Sequence, residues 1–297
     1  MVDVVTERGH RQRTLCCAID PGRAVQYTGL RRHCETDRAL SVATSKKAFI
    51  YSVLCAICLA ASIYVAWDLT RVIAHLPSPQ PQSDLMQGLR ILVVVLCNIL
   101  IQLIGRDGEG HRLATLLGIA FVLILVADLV LTFHQVIPAV LTFLVAQLLL
   151  AARHLRGFGA AWSSGALRRR LPFLVVVGVV ELTLIGATLG GLCLPLLGPT
   201  PQFFGIAVYA LALGFSVWAA YAALVIGHFP KANAVLVAIG MTCFAACDVT
   251  VGVSIAVPPD QPLYALQYLT WTFYTPALVL LVLSGYSLRY LAPWLPD

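Results

Sequence analysis

The pattern of apolar and polar positions divides the chain into a polar N-terminal segment and a series of long apolar runs. Eight runs are long enough to cross the hydrocarbon core of a bilayer, which takes about 20 helical residues. Each run is continuous, whereas transmembrane β-strands are short segments of alternating polarity. The pattern predicts an all-α, polytopic membrane protein. The eight predicted spans cover residues 48–68, 86–104, 113–133, 137–155, 171–193, 203–227, 233–257 and 264–288.

Composition supports the same fold class and excludes a soluble globular protein. Of the 297 residues, 59% are hydrophobic and only 11% are charged, against about 25% charged in soluble domains. Residues 1–47 alone carry nine basic and five acidic side chains. The predicted organisation is a flexible or only locally ordered basic arm over 1–47, a membrane domain over 48–290 and a short tail over 291–297.

The distribution of basic residues predicts the topology. Eighteen of the 20 Lys and Arg residues fall in the arm, in the loops on the same side of the spans, or next to the C-terminus. Arg71 and Arg90 lie on the opposite side. Because basic residues are enriched on the cytoplasmic side, both termini are predicted to be cytoplasmic, most simply in the cell membrane. The net charge of +6 is explained by this anchoring, so no nucleic-acid partner is predicted.

Two pairs of polar residues repeat at the same spacing. Asp128 and Gln147 are 19 residues apart, and so are Asp248 and Gln267. Each pair places Asp in an odd-numbered span and Gln in the next one, so the two helical hairpins run in the same direction. This is the pattern of parallel internal repeats. The alternative is a chance similarity of two polar positions.

Charged residues inside the spans are the candidates for chemistry. A charge near the bilayer centre costs about 2.5–3.5 kcal/mol on insertion scales, so Asp128, Glu181 and Asp248 call for a function. The helical rise of about 1.5 Å per residue places both aspartates and Arg90 in one depth band of the outer half. They either stabilise the helix bundle or act as a pair, one carboxyl as acid and the other as base. The sequence leaves open which Asp takes which part.

The last span adds a polar face. Tyr264, Gln267, Tyr268 and Trp271 share one side of a helix by their spacing. An interfacial aromatic belt explains the two tyrosines but not Gln267. Glu181 either joins the same site or bonds a neighbouring helix. No metal-ligand cluster, G-x-S-x-G motif or phosphate loop is present, so neither a metal nor a cofactor is predicted.

Four short motifs resemble those of one family. They are VADLVL (126–131), FLVAQLLL (143–150), GMTCFAACD (240–248) and YALQ (264–267). In order and spacing they are similar to the motifs of the YhhN-type lysoplasmalogenases, which are multi-span membrane hydrolases. The chain departs from the family pattern at three positions. It has Ala127 where the family usually has Gly, Gln147 where it often has His and Cys247 where it has Ser. Arg90 is the nearest counterpart of a Lys-Pro pair early in the second span.

The resemblance implies an ether hydrolase that acts on a lysophospholipid. Lysoplasmalogenases cleave the vinyl ether bond of a lysoplasmalogen and release a fatty aldehyde and a glycerophospho-base. The family's proposed catalytic carboxylates carry over to Asp128 and Asp248. The remaining candidates form a substrate-binding set, with Arg90 for the lipid phosphate or for fixing one Asp as the anion. That set is Arg90, Gln147, Glu181, Tyr264, Gln267 and Tyr268.

Two other functions use the same residues. In a small proton- or solute-coupled transporter, the buried carboxylates bind a cation or solute, and the parallel repeat favours this alternative. In a membrane scaffold, they only hold helices together. A hydrolase forms a covalent product and a transporter takes up solute. A scaffold does neither.

Overall fold

The computed structural model describes residues 24–74, 84–104, 111–133, 135–256 and 264–286, and these form helices and turns without a strand. The all-α prediction is confirmed. A π-helical turn, Leu189–Cys193, joins the sixth helix to the short seventh. The helices are α1 (Ala24–Ile73), α2 (Asp84–Ile104), α3 (His111–Thr132), α4 (Val136–His154), α5 (Phe158–Ser163), α6 (Ala166–Thr188), α7 (Leu194–Leu197), α8 (Pro201–Ile226), α9 (Lys231–Ala256) and α10 (Tyr264–Leu283).

Seven segments among the described residues are long and apolar enough to cross a membrane, as expected for an integral membrane protein. They correspond to the first seven predicted spans. The apolar part of α10, Tyr268–Leu283, is shorter, so the eighth span stays a prediction. The seven segments are Ser45–Ile73, Leu85–Leu103, Leu113–Thr132, Val136–His154, Leu167–Leu197, Pro201–Ile226 and Lys231–Ala256.

The chain divides into two units, Met1–Tyr51 and Ser52–Asp297. α1 begins at Ala24, so its first turns fall within the predicted arm, whose flexibility stays a prediction. The part of the arm before Ala24 and the predicted tail, 291–297, lie outside the described residues. The predicted domain boundary at residue 47 stays a prediction. The site lies within the second unit.

Six helices of this unit form a closed ring. α2 packs against α3, α3 against α4, α4 against α8, α8 against α9, α9 against α10, and α10 returns to α2. α6 packs against α8, where the side chain of Ile185 lies directly over Gly214. The ring order places α2, α3 and α4 before α8, α9 and α10. Two parallel repeats would produce this order, and the repeat itself stays a prediction.

The ends of α8 follow from local sequence. Thr200 has extended backbone and its hydroxyl accepts a hydrogen bond from the Phe203 amide, and Pro201 occupies the first turn, where its missing N–H costs nothing. At the other end Gly227 adopts φ +71°, a left-handed conformation that favours glycine and ends the helix. These signals fix the residues at which α8 begins and ends.

α9 and α10 approach most closely at Gly240. A Cβ placed there would lie 3.1 Å from Leu281 Cγ, 3.3 Å from Leu280 Cβ and 3.4 Å from the Ala277 carbonyl oxygen. The glycine of the GMTCFAACD motif therefore has a packing role, because any larger side chain would push the two helices apart.

We expect Gly240→Val to lower the midpoint of thermal unfolding in detergent, with a loss of about 1–3 kcal/mol from overpacking. Gly252→Val is the matched control, since it makes the same change in the same helix at a position with no atom within 4 Å of the added Cβ. Equal midpoints for the two variants would contradict the close approach.

A buried polar cluster lies where α4 ends beside α10. The side chain of Arg153 is fully buried and donates to the Ser284 hydroxyl at 3.1 Å, with its guanidinium carbon 5.0 Å from the Phe229 ring centroid. Asn233 donates to the carbonyls of Ser284 and Tyr286 at 2.8 and 2.7 Å. Arg153 lies in the last turn of α4, which ends at His154, so it belongs to the predicted fourth span as well as to the predicted loop that begins at residue 153.

Candidate functional site

The first aspartate accepts a hydrogen bond from a tyrosine of another ring helix. Asp128 lies in α3, and the Tyr274 hydroxyl of α10 donates a hydrogen bond to its Oδ2 at 2.7 Å. Tyr274 is buried. Because a phenol hydroxyl donates along one direction, this contact fixes the orientation of the carboxyl group.

The second aspartate has a tyrosine partner of its own. Asp248 lies in α9, and the Tyr209 hydroxyl of α8 donates to its Oδ2. On the far side of Tyr209, the side chain of Gln147 in α4 lies next to the same hydroxyl. Neither Oε1 nor Nε2 of Gln147 makes a hydrogen bond of acceptable geometry with a described residue, although the side chain is fully buried.

The two aspartates form one site. Their carboxylates lie within electrostatic range of each other, and the buried thiol of Cys247 interacts with both. Four helices of the ring therefore bring two half-buried carboxyls and two phenols, of which Tyr274 is buried, close together. Two carboxyl groups in a shared interior are the arrangement that splits acid and base roles between chemically identical side chains.

A continuous row of aromatic rings connects the two halves of the site. The ring centroids of Trp271 and Tyr274 are 5.4 Å apart, and those of Tyr274 and Phe244 are 5.6 Å apart. Phe143 follows at 6.5 Å from Phe244 and lies 6.4 Å from Tyr209. The rings of this aromatic row form a largely apolar wall beside the site, from which only the hydroxyls of Tyr274 and Tyr209 reach the aspartates.

A charged cluster lies at the Trp271 end of the row. Arg90 forms a buried ion pair with Asp68 of α1, and its guanidinium carbon lies 5.1 Å from the Trp271 ring centroid and 5.9 Å from that of Tyr64. Tyr64 in turn contacts Thr275 through their hydroxyls. The described ion pair of Arg90 is with Asp68, and a role of Arg90 in fixing Asp128 or Asp248 as the anion stays a prediction.

The other predicted residues are distributed unevenly. Glu181 lies half-buried in α6, the least buried of the apolar segments, and makes no hydrogen bond or ion pair with a described residue. Tyr268 lies half-buried in α10, one turn before Thr272, which donates to its carbonyl. The backbones of Tyr264 and Gln267 belong to α10, but their side chains lie outside what the structure describes.

Three residues of the site were missed from the sequence. Asp68 was taken as the last residue of the first span, but α1 continues to Ile73, so both Asp68 and Arg71 are buried within the helix. Arg71, which the sequence places on the side opposite to most basic residues, lies in the last turn of this helix. Tyr274 continues the polar spacing of α10 by one turn beyond Trp271. Tyr209 carries no such signal, because only the packing of α8 against α9 brings it to Asp248.

The fold and the site define a class, namely multi-span helical membrane proteins with a carboxylate pair inside the helix ring. The model of the YhhN family matches residues 86–285, which include the helices of the ring except the first two residues of α2. The chain belongs to the YhhN family. Tyr64 and Asp68 precede the matched region, whereas the aspartates and their tyrosines lie within it. No curated protein and no solved structure gives a significant match.

Proposed function

We propose that the protein is an intramembrane ether hydrolase of the lysoplasmalogenase type. It cleaves the vinyl ether bond of a lysoplasmalogen and releases a fatty aldehyde and glycerophosphoethanolamine or glycerophosphocholine. The single observation that carries the proposal is the pair of aspartates, each oriented by its own tyrosine and set against an apolar aromatic wall. Membership of the YhhN family supports it.

The chemistry needs one protonated and one ionised carboxyl group. A vinyl ether is cleaved when an acid protonates its β-carbon, which leaves an oxocarbenium ion that water attacks. Two carboxylates close together in an apolar interior are most stable with a single negative charge, because like charges repel and desolvation disfavours ionisation. One aspartate then donates the proton while the other stabilises the cation or activates water, as the paired carboxyls of glycosidases do.

The two ends of the aromatic row suit a lipid with one chain. The charged cluster of Asp68, Arg71 and Arg90 has one more positive than negative side chain, and we propose that Arg90 binds the phosphate. Tyr264, Gln267 and Tyr268 of α10 are proposed to line the slot for the hydrocarbon chain. Glu181 has no part in the proposed site, because it lies in α6 without a described polar contact to either aspartate.

The test is the reaction itself. Detergent-purified protein is incubated with lysoplasmenyl-ethanolamine and its choline counterpart, and fatty aldehyde is measured by mass spectrometry. The 1-alkyl lysolipid is the matched control, since its saturated ether has no double bond to protonate. We expect aldehyde from the alkenyl lipids alone. No aldehyde from folded protein, together with solute or proton uptake into proteoliposomes, would favour the transporter instead.

The tyrosines are proposed to orient the carboxyls without touching substrate. Tyr274→Phe removes one hydrogen bond to Asp128, and a bond to a charged group contributes about 1.5–3 kcal/mol. We expect aldehyde release to fall by about 10- to 100-fold. Tyr221→Phe is the control, because it removes a hydroxyl whose described hydrogen bond is with Thr242 and not with an aspartate. Equal activities of the two variants would exclude an orienting role for Tyr274.

We also propose that the protein crosses the cell membrane eight times, with both termini on the cytoplasmic side. The asymmetry of Lys and Arg supports this even with Arg153 removed from the count. A green fluorescent protein fused at the C-terminus is expected to fluoresce, and alkaline phosphatase fused there to be inactive. Phosphatase fused after residue 260, before α10, should be active. Inactivity at both positions would mean that α10 does not cross the membrane.

A further inference from the structure

We propose that Gln147 holds the water molecule that attacks the substrate, that Asp248 takes the proton of that water, and that Asp128 is the acid that protonates carbon. The inference rests on the proposed hydrolysis and assigns the roles within it. It comes from the difference between the two ends of the site, since both aspartates have a tyrosine partner but only one has a buried amide nearby.

The first observation is the state of Gln147. Its side chain is 0% exposed, and both of its polar atoms lack a hydrogen-bond partner among the described residues. Leaving a buried amide unsatisfied costs about 1–3 kcal/mol. Buried polar groups of this kind are normally satisfied by ordered water, which needs two to four polar partners. An amide offers both a donor and an acceptor, as a bound water requires.

The second observation is the neighbour of Gln147. The amide lies beside the Tyr209 hydroxyl, whose single proton is donated to Asp248 in a hydrogen bond. The lone pairs of that hydroxyl remain available as acceptors. A water at this point accepts from Gln147 Nε2 and donates to Gln147 Oε1 or Tyr209 Oη. Its second proton is directed at the carboxyl group of Asp248, which accepts from Tyr209 at Oδ2 and still has free lone pairs.

The opposite end of the site lacks such an amide among the described contacts. Tyr274, the partner of Asp128, is flanked by the rings of Trp271 and Phe244. An apolar surrounding suits the alkenyl carbon and not a water molecule. The carboxyl that meets the carbon chain is therefore Asp128, and the carboxyl that meets water is Asp248.

The steps balance. The Asp128 carboxyl gives its proton to the β-carbon, and the electrons of the C=C bond form the new C–H bond. Water attacks the resulting cation at the α-carbon and loses a proton to the Asp248 carboxylate. The hemiacetal then collapses: Asp248 returns that proton to the glycerol oxygen as the C–O bond breaks, and the hemiacetal hydroxyl proton goes to Asp128. The products are aldehyde and alcohol, with one water consumed.

Hydrolysis in D₂O separates the two carboxyl roles. If protonation of carbon is intact but water attack is slow, the oxocarbenium ion returns to vinyl ether and unreacted substrate gains deuterium at its β-carbon. The recovered lysolipid is analysed by mass spectrometry beside the aldehyde. Parent protein is expected to give aldehyde with one deuterium per turnover and no deuterium in recovered substrate.

Three variants have distinct expected results. Gln147→Leu lowers aldehyde release by about 100-fold, the order expected when a reacting group is displaced by about 1 Å, and deuterium enters the recovered substrate. Asp248→Asn also loses hydrolysis and retains exchange. Asp128→Asn loses both. Asn98→Leu is the control, since Asn98 is another buried amide with an unpartnered oxygen, and it should behave as the parent. A single monodisperse peak in gel filtration establishes that each variant is folded.

The remaining outcomes overturn the inference. Exchange in Asp128→Asn but not in Asp248→Asn would reverse the two roles. Loss of hydrolysis in Gln147→Leu without exchange, or no loss at all, would remove Gln147 from water binding. Gln147→His, which restores the residue common in the family, should recover most of the activity with a ring that again donates and accepts. Failure of the parent to release any aldehyde would instead refute the proposed function, and this inference with it.

Discussion

Replacing either Asp128 or Asp248 with Asn lowers the rate of aldehyde release by about 10²–10⁴-fold, the usual contribution of a general acid or base. Asn keeps the shape of the side chain and an oxygen that accepts from the tyrosine, so Tyr274 and Tyr209 retain their hydrogen bonds. Only the ability to carry a proton is lost. The rate is measured with lysoplasmenyl-ethanolamine at saturating concentration in detergent.

The chain supplies a matched control for this experiment. Glu181 is another carboxyl inside an apolar segment, but it lies in α6, which is not one of the ring helices. Glu181→Gln removes an intramembrane charge in the same way and is expected to leave the rate within about twofold of the parent. A loss as large as that of the aspartate variants would show that general disturbance of the fold, and not the chemistry of the pair, explains the result.

The second large effect concerns stability. Asp68→Leu is expected to destabilise the folded protein by about 3–5 kcal/mol, because it removes the buried carboxylate that neutralises Arg90. The double variant Asp68→Leu/Arg90→Met removes both charges and should recover most of the loss, since an apolar pair of similar volume replaces a desolvated ion pair. The measurement is the midpoint of thermal unfolding in detergent.

The same three proteins also test the proposed phosphate contact. If Arg90 binds the lipid phosphate, the double variant is stable but has a raised KM, with a smaller effect on kcat. Equal midpoints for Asp68→Leu and the double variant would contradict the energetic role of the pair. An unchanged KM in the stable double variant would assign the phosphate to another group.

The spans were predictable because a continuous apolar run of about 20 residues has the length of a membrane-crossing helix. The intramembrane aspartates were conspicuous because a charged side chain is costly to insert into a membrane. The partners of those aspartates were not. Tyr209 looks like any tyrosine in an apolar helix until α8 packs against α9. Asp68 was overlooked because apolar patterning ends a span where a charge occurs, whereas the helix continues if a buried Arg neutralises that charge.

The ring closes by contact between its first and last helices, α2 and α10. The site is therefore complete only after α10 has been synthesised. Tyr274 and Trp271 are made last, after the other five helices of the ring have been synthesised. A nascent chain that stops before residue 264 carries both aspartates, but Asp128 has no tyrosine to orient it. In the proposed mechanism, orientation of the acid therefore waits until synthesis and insertion have reached α10.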